Sequence, residues 1–369
     1  MPVFIPYYRD QIGLTFNDFL IGEAVFAGVV VALEVPTGWL SDVWKRKYVL
    51  ACAAVFWIAS FALLLFARTF IEMIVAQCIV GIAVSLFSGT MSAMLYDSLI
   101  VLNRESEYSR LEGKRQGLGF YSIALAGIVG GFLYDLGPQV PMAATAFVAV
   151  PALICTLLMT EPPRHKSAVQ RHPLADMFLT VKYALHGHAE VGFIIIFAAA
   201  LFCGTKLMMW SQQPYYMALN LPENIYGILM AAGFTLAGTS SHISHRFDGH
   251  VSNLGFLSVA LAFTLLVSIL ASIGPGLHGV ALLMIGGSCI FGLASPRVND
   301  AINKRVESDR RATILSTCSL LRELFFIPVS LLVGALTDRG GITFGLHGVT
   351  GWLVIAAIFV GLWAYTKKA

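Results

Sequence analysis

The 369-residue chain is 57% hydrophobic and 12% charged, against roughly 25% charged residues in a soluble domain, so it reads as an integral membrane protein. Its net charge of +3 is no argument for nucleic acid, because the basic residues fall in short loops between apolar runs. Those runs are continuous over ~20 residues, without the ten-residue alternation of barrel strands, and they predict an all-α transmembrane fold.

In chain order, Met1 to Tyr8 is apolar and aromatic but too short to cross a bilayer. It has neither the basic start nor the small-residue cleavage site of a signal peptide. Spans are then predicted at 18–41, 48–67, 70–100, 116–136, 139–160, 191–216, 224–243, 253–273, 279–302, 312–336 and 345–365, eleven in all. The longest connection, 161–190, is polar and holds a short amphipathic helix near 174–186. It divides an N-terminal bundle (1–160) from a C-terminal bundle (191–369). Cys52, Cys78, Cys155, Cys203, Cys289 and Cys318 lie scattered within the spans and are read as small buried apolar residues, not disulfides or metal ligands. His242 and His245 share a helix end without a third ligand, so neither a metal nor a cofactor is expected.

Loop charge sets the orientation. Of the 24 Lys and Arg residues, eighteen lie on one side, from Lys45, Arg46 and Lys47 to Lys367 and Lys368. Three lie on the other side (Arg9, Arg68, Arg339) and three inside spans (Lys206, Arg297, Arg322). The basic side is expected to be cytoplasmic, with the C-terminus inside and Met1 outside, in a cell inner (plasma) membrane.

The two bundles also repeat. "SGTMSAMLYDSL" aligns with "LASPRVNDAINK" at a shift of 203, pairing Gly89 with Gly292 and Asp97 with Asp300. The same shift carries "GGFLYD" onto "VGALTD", pairing Gly131 with Gly334 and Asp135 with Asp338. Parallel repeats of this length suggest a transporter of two six-helix halves. "PYYRDQIGL" at Pro6 also echoes "PYYMALNLP" at Pro214, where a complete helix precedes the proline. By that symmetry the first helix is expected to be truncated, with twelve helices as the full set.

The stretch "EVPTGWLSDVWKRK", Glu34 to Lys47, resembles the loop between the second and third helices of the major facilitator superfamily, with Gly38, Leu40, Asp42, Arg46 and Lys47 matching its pattern. "SGTMSAMLYDSL", "TEPPR" after the sixth helix and "RRATILSTCSLL" are similar to further family segments, within a drug-antiporter-like bacterial branch. Two positions depart from that branch: Gln77 stands where its antiporters often carry an arginine, and "GIVGGFLYD" keeps Gly127, Gly130 and Gly131 but lacks the usual proline. The resemblance implies a fold of two pseudo-symmetric helix bundles and a cytoplasmic gate built on the loop motif.

Candidate residues fall into two groups. Gate candidates are Gly38, Asp42, Arg46 and Lys47, with the repeat partners Asp97 and Asp300 and with Arg297 one turn from Asp300. Gly38 would admit a neighbouring helix, and Asp42 would pair with Arg46 or cap a helix N-terminus. An ordinary positive-inside loop is the plainer reading. The second group is ionisable residues inside spans, which cost ~2.5–3.5 kcal/mol each and tend to face a cavity or a partner. These are Lys206, Glu23, Arg322, Glu323 and Glu34. Lys206 and Glu23 lie at similar depth and are candidates to pair. Arg322 and Glu323, adjacent on one helix, should not both face the same partner. Lys206 and Arg322 would attract an anionic group on a substrate while Glu23 or Glu323 exchanges a proton; a static buried ion pair is the alternative. Trp210, Ser211, Gln212, Gln213 and Tyr215 form either a substrate vestibule or an interfacial aromatic belt.

No nucleotide loop or nucleophile motif is present, and no enzymatic activity is expected. The expected function is secondary transport of a small solute by alternating access. The finer expectation is proton-coupled efflux of amphiphilic compounds or of a metabolite such as a siderophore. A transport-inactive membrane interaction protein and a lipid or lysolipid flippase are the alternatives. The expected partners are the solute, protons and the bilayer, and the chain should be a monomer unless a partner fills the place of the missing first helix.

Overall fold

A computed structural model describes residues 2–163, 189–244, 252–303, 305 and 311–366. The amphipathic helix expected near 174–186 lies outside these residues. The chain opens on a short helical segment, α1 (Phe4–Tyr7), which runs into a wide turn over Tyr8–Ile12. Then come α2 (Phe16–Val43), α3 (Arg46–Phe66), α4 (Phe70–Phe87), α5 (Thr90–Val101), α6 (Tyr108–Tyr134) and α7 (Val140–Leu158). The second half holds α8 (Ala189–Ala218), α9 (Glu223–Ile243), α10 (Asn253–Ala271), α11 (Leu277–Met284), α12 (Ile290–Asn303) and α13 (Arg311–Thr366).

Several expected spans are subdivided. The span at 70–100 breaks at Gly89, whose φ of 71° is left-handed, into α4 and α5. The one at 279–302 contains a widened turn over Ile285–Cys289. In α13 the break at Gly340 and Gly341, with φ 76° at Gly341, separates two membrane passes. Nine stretches among the described residues are long and apolar enough to cross a bilayer, and the last, Thr317–Trp363, contains that break and makes two crossings. Helix α9, of similar length, is richer in Gly, Ser and Thr and is not among the nine.

Local sequence explains the helix starts. Thr15 and Asp18 form a reciprocal capping box at the head of α2, and Thr69 and Glu72 do the same for α4, each worth ~1 kcal/mol. Lys45 offers α3 no side-chain cap. Glu161 supplies it from across the bundle, accepting the backbone N–H groups of Arg46 at 2.8 Å and Lys47 at 2.9 Å. A carboxylate there satisfies two orphan donors and meets the positive end of the helix dipole.

Helix α8 is the hub: 89% of its apolar window is buried, against 17% for α7. Helix α7 turns Phe147, Ile154 and Leu158 outward, as a bilayer-facing helix does. Helix α3 packs on α4 and α7, and α2 on α4; in the second half α13 packs on α8 and α10, and α9 on α12. Two pairs join these groups, α6 with α9 and α2 with α13.

The two joins are alike. A Cβ on Gly131 of α6 would stand 2.7 Å from the Asn224 carbonyl oxygen of α9, and one on Gly334 of α13 would stand 3.0 Å from the Asn17 Cα of α2. One turn further on, Asn224 Nδ2 donates to Asp135 at 3.1 Å and Thr15 Oγ1 donates to Asp338 at 3.5 Å. The sequence repeat that pairs Gly131 with Gly334 and Asp135 with Asp338 thus marks two equivalent docking points. Both lie at the end of the molecule opposite the basic loops. Arg9 donates to Glu223 at that same end.

Of the cysteines, only Cys203 and Cys318 are buried. Cys52, Cys78 and Cys289 are half-buried and Cys155 is exposed, because α3, α4 and α7 each turn one face away from the protein. All six are free thiols.

Candidate functional site

Five ionisable residues converge between the joined helix groups. Lys206 of α8 donates from Nζ to Glu323 Oε2 at 2.6 Å. Arg322 donates from Nε to the other carboxylate oxygen, Oε1, at 3.1 Å, with Nη2 at 3.0 Å. The adjacent Arg322 and Glu323 pair with each other because the long Arg322 side chain folds back on its neighbour, and Glu323 alone reaches Lys206. Lys206 Nζ also stands 3.9 Å from the centroid of the Phe326 ring, one turn beyond Arg322, so its charge is met by an anion and an aromatic face.

Glu23 of α2 is buried and accepts from Gln77 Nε2 of α4 at 3.1 Å. The anticipated direct pair between Glu23 and Lys206 is absent from the hydrogen bonds of the described residues; Lys206 has turned to Glu323. The charges of Lys206 and Glu323 still act on Glu23 across the space between α2 and α8. Those of Arg322 and Glu323 act on Glu34, lower on α2. Two cations around one carboxylate leave a local excess of positive charge, which faces two further carboxylates on α2. Buried pairs of this kind are held by geometry against a desolvation cost of several kcal/mol per ion.

Beyond Lys206 along α8 the polar-aromatic band is mostly consumed by the fold. Gln213 accepts the Ile5 N–H at 3.0 Å, Gln212 donates to the Leu283 carbonyl at 3.3 Å, and the Tyr215 hydroxyl donates to the Gly274 carbonyl at 2.9 Å. Ser211, Gln212, Gln213 and Tyr215 are buried, so they form neither an interfacial belt nor a vestibule. Trp210 remains, with its ring edge-on to Phe19 at 4.9 Å.

At the basic end the loop motif reaches across to a neighbouring helix. Arg46 pairs with Asp97 of α5 and also donates to the Ala93 carbonyl at 2.9 Å. The expected pair of Arg46 with Asp42 falls on a side chain outside the described residues. Gly38 does not admit a neighbouring helix here: no atom lies within 4 Å of where its Cβ would stand. Lys47 Nζ lies 5.3 Å from the Tyr48 ring centroid. Arg297 is buried with its guanidinium carbon 4.5 Å from the Phe256 ring centroid, and Asp300 is half-buried one turn on.

Three contributors escaped the sequence reading. Glu161 lies in "TEPPR", where a carboxylate just past a span end on the basic side was the available signal. Gln77 was noted only as a departure, though an amide inside an apolar span needs a partner. The cluster of Ser92, Glu112 and Arg115 joins α5 to α6, with Ser92 Oγ donating to Glu112 at 2.9 Å across the turn between them. Among the described residues no group of three metal-ligating side chains occurs.

The paired docking of α6 on α9 and α2 on α13 around a charged centre is a transporter architecture, and the family model agrees. Residues 1–324 match the Major Facilitator Superfamily. The chain belongs to that superfamily. It is therefore a multi-pass membrane protein with a transporter fold. The crystal structure of the nucleoside transporter NupG is similar with a TM-score of 0.74 at 13% identity, covering 100% of this chain and 94% of that one. A D-xylose-proton symporter gives 0.73 at 14%, covering 96% and 91%. A bacterial homologue of the lysosomal transporter Spinster, inward-facing and occupied, gives 0.66 at 15%, covering 99% and 92%. In sequence, an uncharacterized MFS-type transporter of Methanocaldococcus jannaschii is 24% identical over 152 residues, which span 41% of this chain but only 36% of that relative.

Proposed function

We propose that this superfamily member is a secondary transporter that moves a small solute by alternating access, with proton coupling at the carboxylates of α2. The observation that carries this is the Lys206–Glu323–Arg322 cluster, held among packed helices and facing Glu23 and Glu34. Ionisable groups at that depth are costly and are retained where they serve a pathway. Glu323, held between two cations, is suited to remain ionised and to yield Lys206 to an anionic solute group. Glu23 and Glu34 have weaker partners and are suited to take and release a proton as the halves rock.

The basic end is read as cytoplasmic from loop charge, which puts the membrane at the cell surface and the C-terminus inside. Residues 1–160 and 191–369 then act as the two rocking halves, linked by 161–190. The conformation, joined at the Gly131 and Gly334 docking points and away from the basic end, supports an inward-facing state. The Arg46, Asp97 and Glu161 cluster, with Gly38, Asp42 and Lys47 of the loop motif and with Arg297 and Asp300 of the other half, is the gate that would close when the molecule turns outward. Among similar folds stand proteins named for nucleosides and for xylose with protons; export of an amphiphile is the reading suggested by the drug-antiporter-like motifs.

Reconstitution in proteoliposomes tests this. Uridine, D-xylose and aromatic carboxylates, each radiolabelled, should include at least one that moves under an imposed pH gradient and stops when a protonophore is added. Failure of all of them, with correctly inserted protein, overturns the reading.

A further inference from the structure

Helices α2 and α8 run antiparallel, and their facing residues form two rungs. At the outer rung Phe19 of α2 meets Trp210 of α8 edge-on, centroids 4.9 Å apart. One turn deeper, ~6 Å along both helices, stand their i+4 neighbours, the buried Glu23 on α2 and Lys206 on α8. The aromatic rung therefore caps the charged site on the side opposite the basic loops.

Trp210 carries an anomaly: its indole Nε1 is shut off from solvent and has no acceptor among the described residues. Buried tryptophan N–H groups normally find a partner, and leaving one unmade costs ~1–3 kcal/mol. The neighbouring polar groups on the same helix are committed elsewhere, Gln213 to the Ile5 N–H and Gln212 to Leu283. Phe19, which packs against this indole, belongs to the other half of the molecule and would leave when that end opens.

We propose that Trp210 is a specificity-determining donor for a flat-ringed solute bearing a carboxylate, and that Phe19 is the lid that covers it in the present state. This rests on the transporter reading above. Lys206 and Trp210 then present two donors one turn apart on one helix face. A carboxylate reaching into the site accepts from the indole N–H and competes with Glu323 for the Lys206 ammonium. The surplus cation of the Lys206–Glu323–Arg322 cluster favours an anion over a neutral group. A planar ring finds Trp210 and Phe326 beside it, two aromatic side chains within one turn of the charges. The energy stored in the orphaned N–H is released only when the solute is present, which couples binding to the opening of that end.

The test uses full-length protein in proteoliposomes with radiolabelled benzoate as the anion probe, and uridine and D-xylose as neutral probes. Trp210→Phe keeps the ring and removes the donor. The expected result is a benzoate KM raised about tenfold, the loss of one hydrogen bond at 1.4 kcal/mol per factor of ten. The maximal rate should be unchanged, and so should the KM of any neutral probe the protein moves. Phe19→Ala should raise the rate of benzoate exchange without that KM change. Wild-type protein that moves uridine or xylose but not benzoate, or a Trp210→Phe variant with a wild-type benzoate KM, overturns this inference alone. Wild-type protein that moves none of the three overturns the transporter reading beneath it.

Discussion

The Lys206 ammonium and the Glu323 carboxylate, 117 positions apart in sequence, meet at 2.6 Å among packed helices, and Arg322 holds the second oxygen of the same carboxylate. Removing the shared anion is the worse lesion. Glu323→Ala leaves two cations facing each other with no counter-charge, a change on the order of 3–5 kcal/mol when a buried pair is broken from one side. Lys206→Ala leaves Glu323 with Arg322. Thermal melting in detergent should fall by several degrees more for Glu323→Ala than for Lys206→Ala. Both should lower solute transport at least tenfold. Equal melting temperatures for the two variants would contradict the shared-anion arrangement.

The docking of α6 on α9 leaves no room for a side chain. A Cβ on Gly227 would collide with the Gly127 carbonyl oxygen, and one on Gly131 would press on backbone of α9. Gly227→Leu should therefore hold that end apart without unfolding either helix group. Spin labels at 135 and 224 should move apart in the variant, with a wild-type melting profile for the remainder. An unchanged label distance would show that the helices close without this contact.

The end opposite the basic loops should lose stability in acid. Burial pushes the Asp10 carboxyl up, but hydrogen bonds from Arg9 and Tyr134, at 2.6 Å each, outweigh it and hold the carboxyl below its ordinary 3.8. A carboxylate whose folded value is depressed stabilises the fold above its unfolded value and ceases to as pH falls through the folded one. The melting difference between wild type and Asp10→Asn should thus be level from pH 8 to about pH 5, then shrink below about pH 4. A difference that grows in acid would reverse the assigned sign.

At the basic end, Arg46 and Asp97 should behave as a pair. Either single reversal, Arg46→Asp or Asp97→Arg, places like charges together, and the double reversal restores attraction. The half-exposed pair is worth on the order of 1 kcal/mol, about fivefold in a conformational equilibrium. Initial transport rates should fall in each single variant and recover at least partly in the double one. Glu161→Gln, which keeps the shape but weakens the cap on α3, should give a smaller loss. A double variant no better than the worse single one would mean the two residues act separately.

Much of the fold was legible because hydropathy is additive along a chain. Eleven apolar runs of bilayer length and their basic connections follow from composition windows alone. The repeat of Gly131 and Asp135 at Gly334 and Asp338 needed no structure to be seen, though what it does there was not readable. The five charges within spans were likewise conspicuous, because an apolar background makes every ionisable residue stand out.

Their partners were another matter. Depth along a helix suggested Lys206 with Glu23, yet rotation about the helix axis and the reach of long side chains gave Lys206 to Glu323 and left Glu23 to Gln77. Spacing within the loop gave no sign that Arg46 would also reach Asp97 of the neighbouring α5. Gly38 looked like a contact point and faces open space, while Gly227 carries a backbone contact that no local pattern marked. The sequence by itself determined which segments cross the membrane and which polar groups they carry, since burial in lipid acts on each segment separately. Only the tertiary structure decided which of those groups meet, since that depends on how whole helices lie against one another.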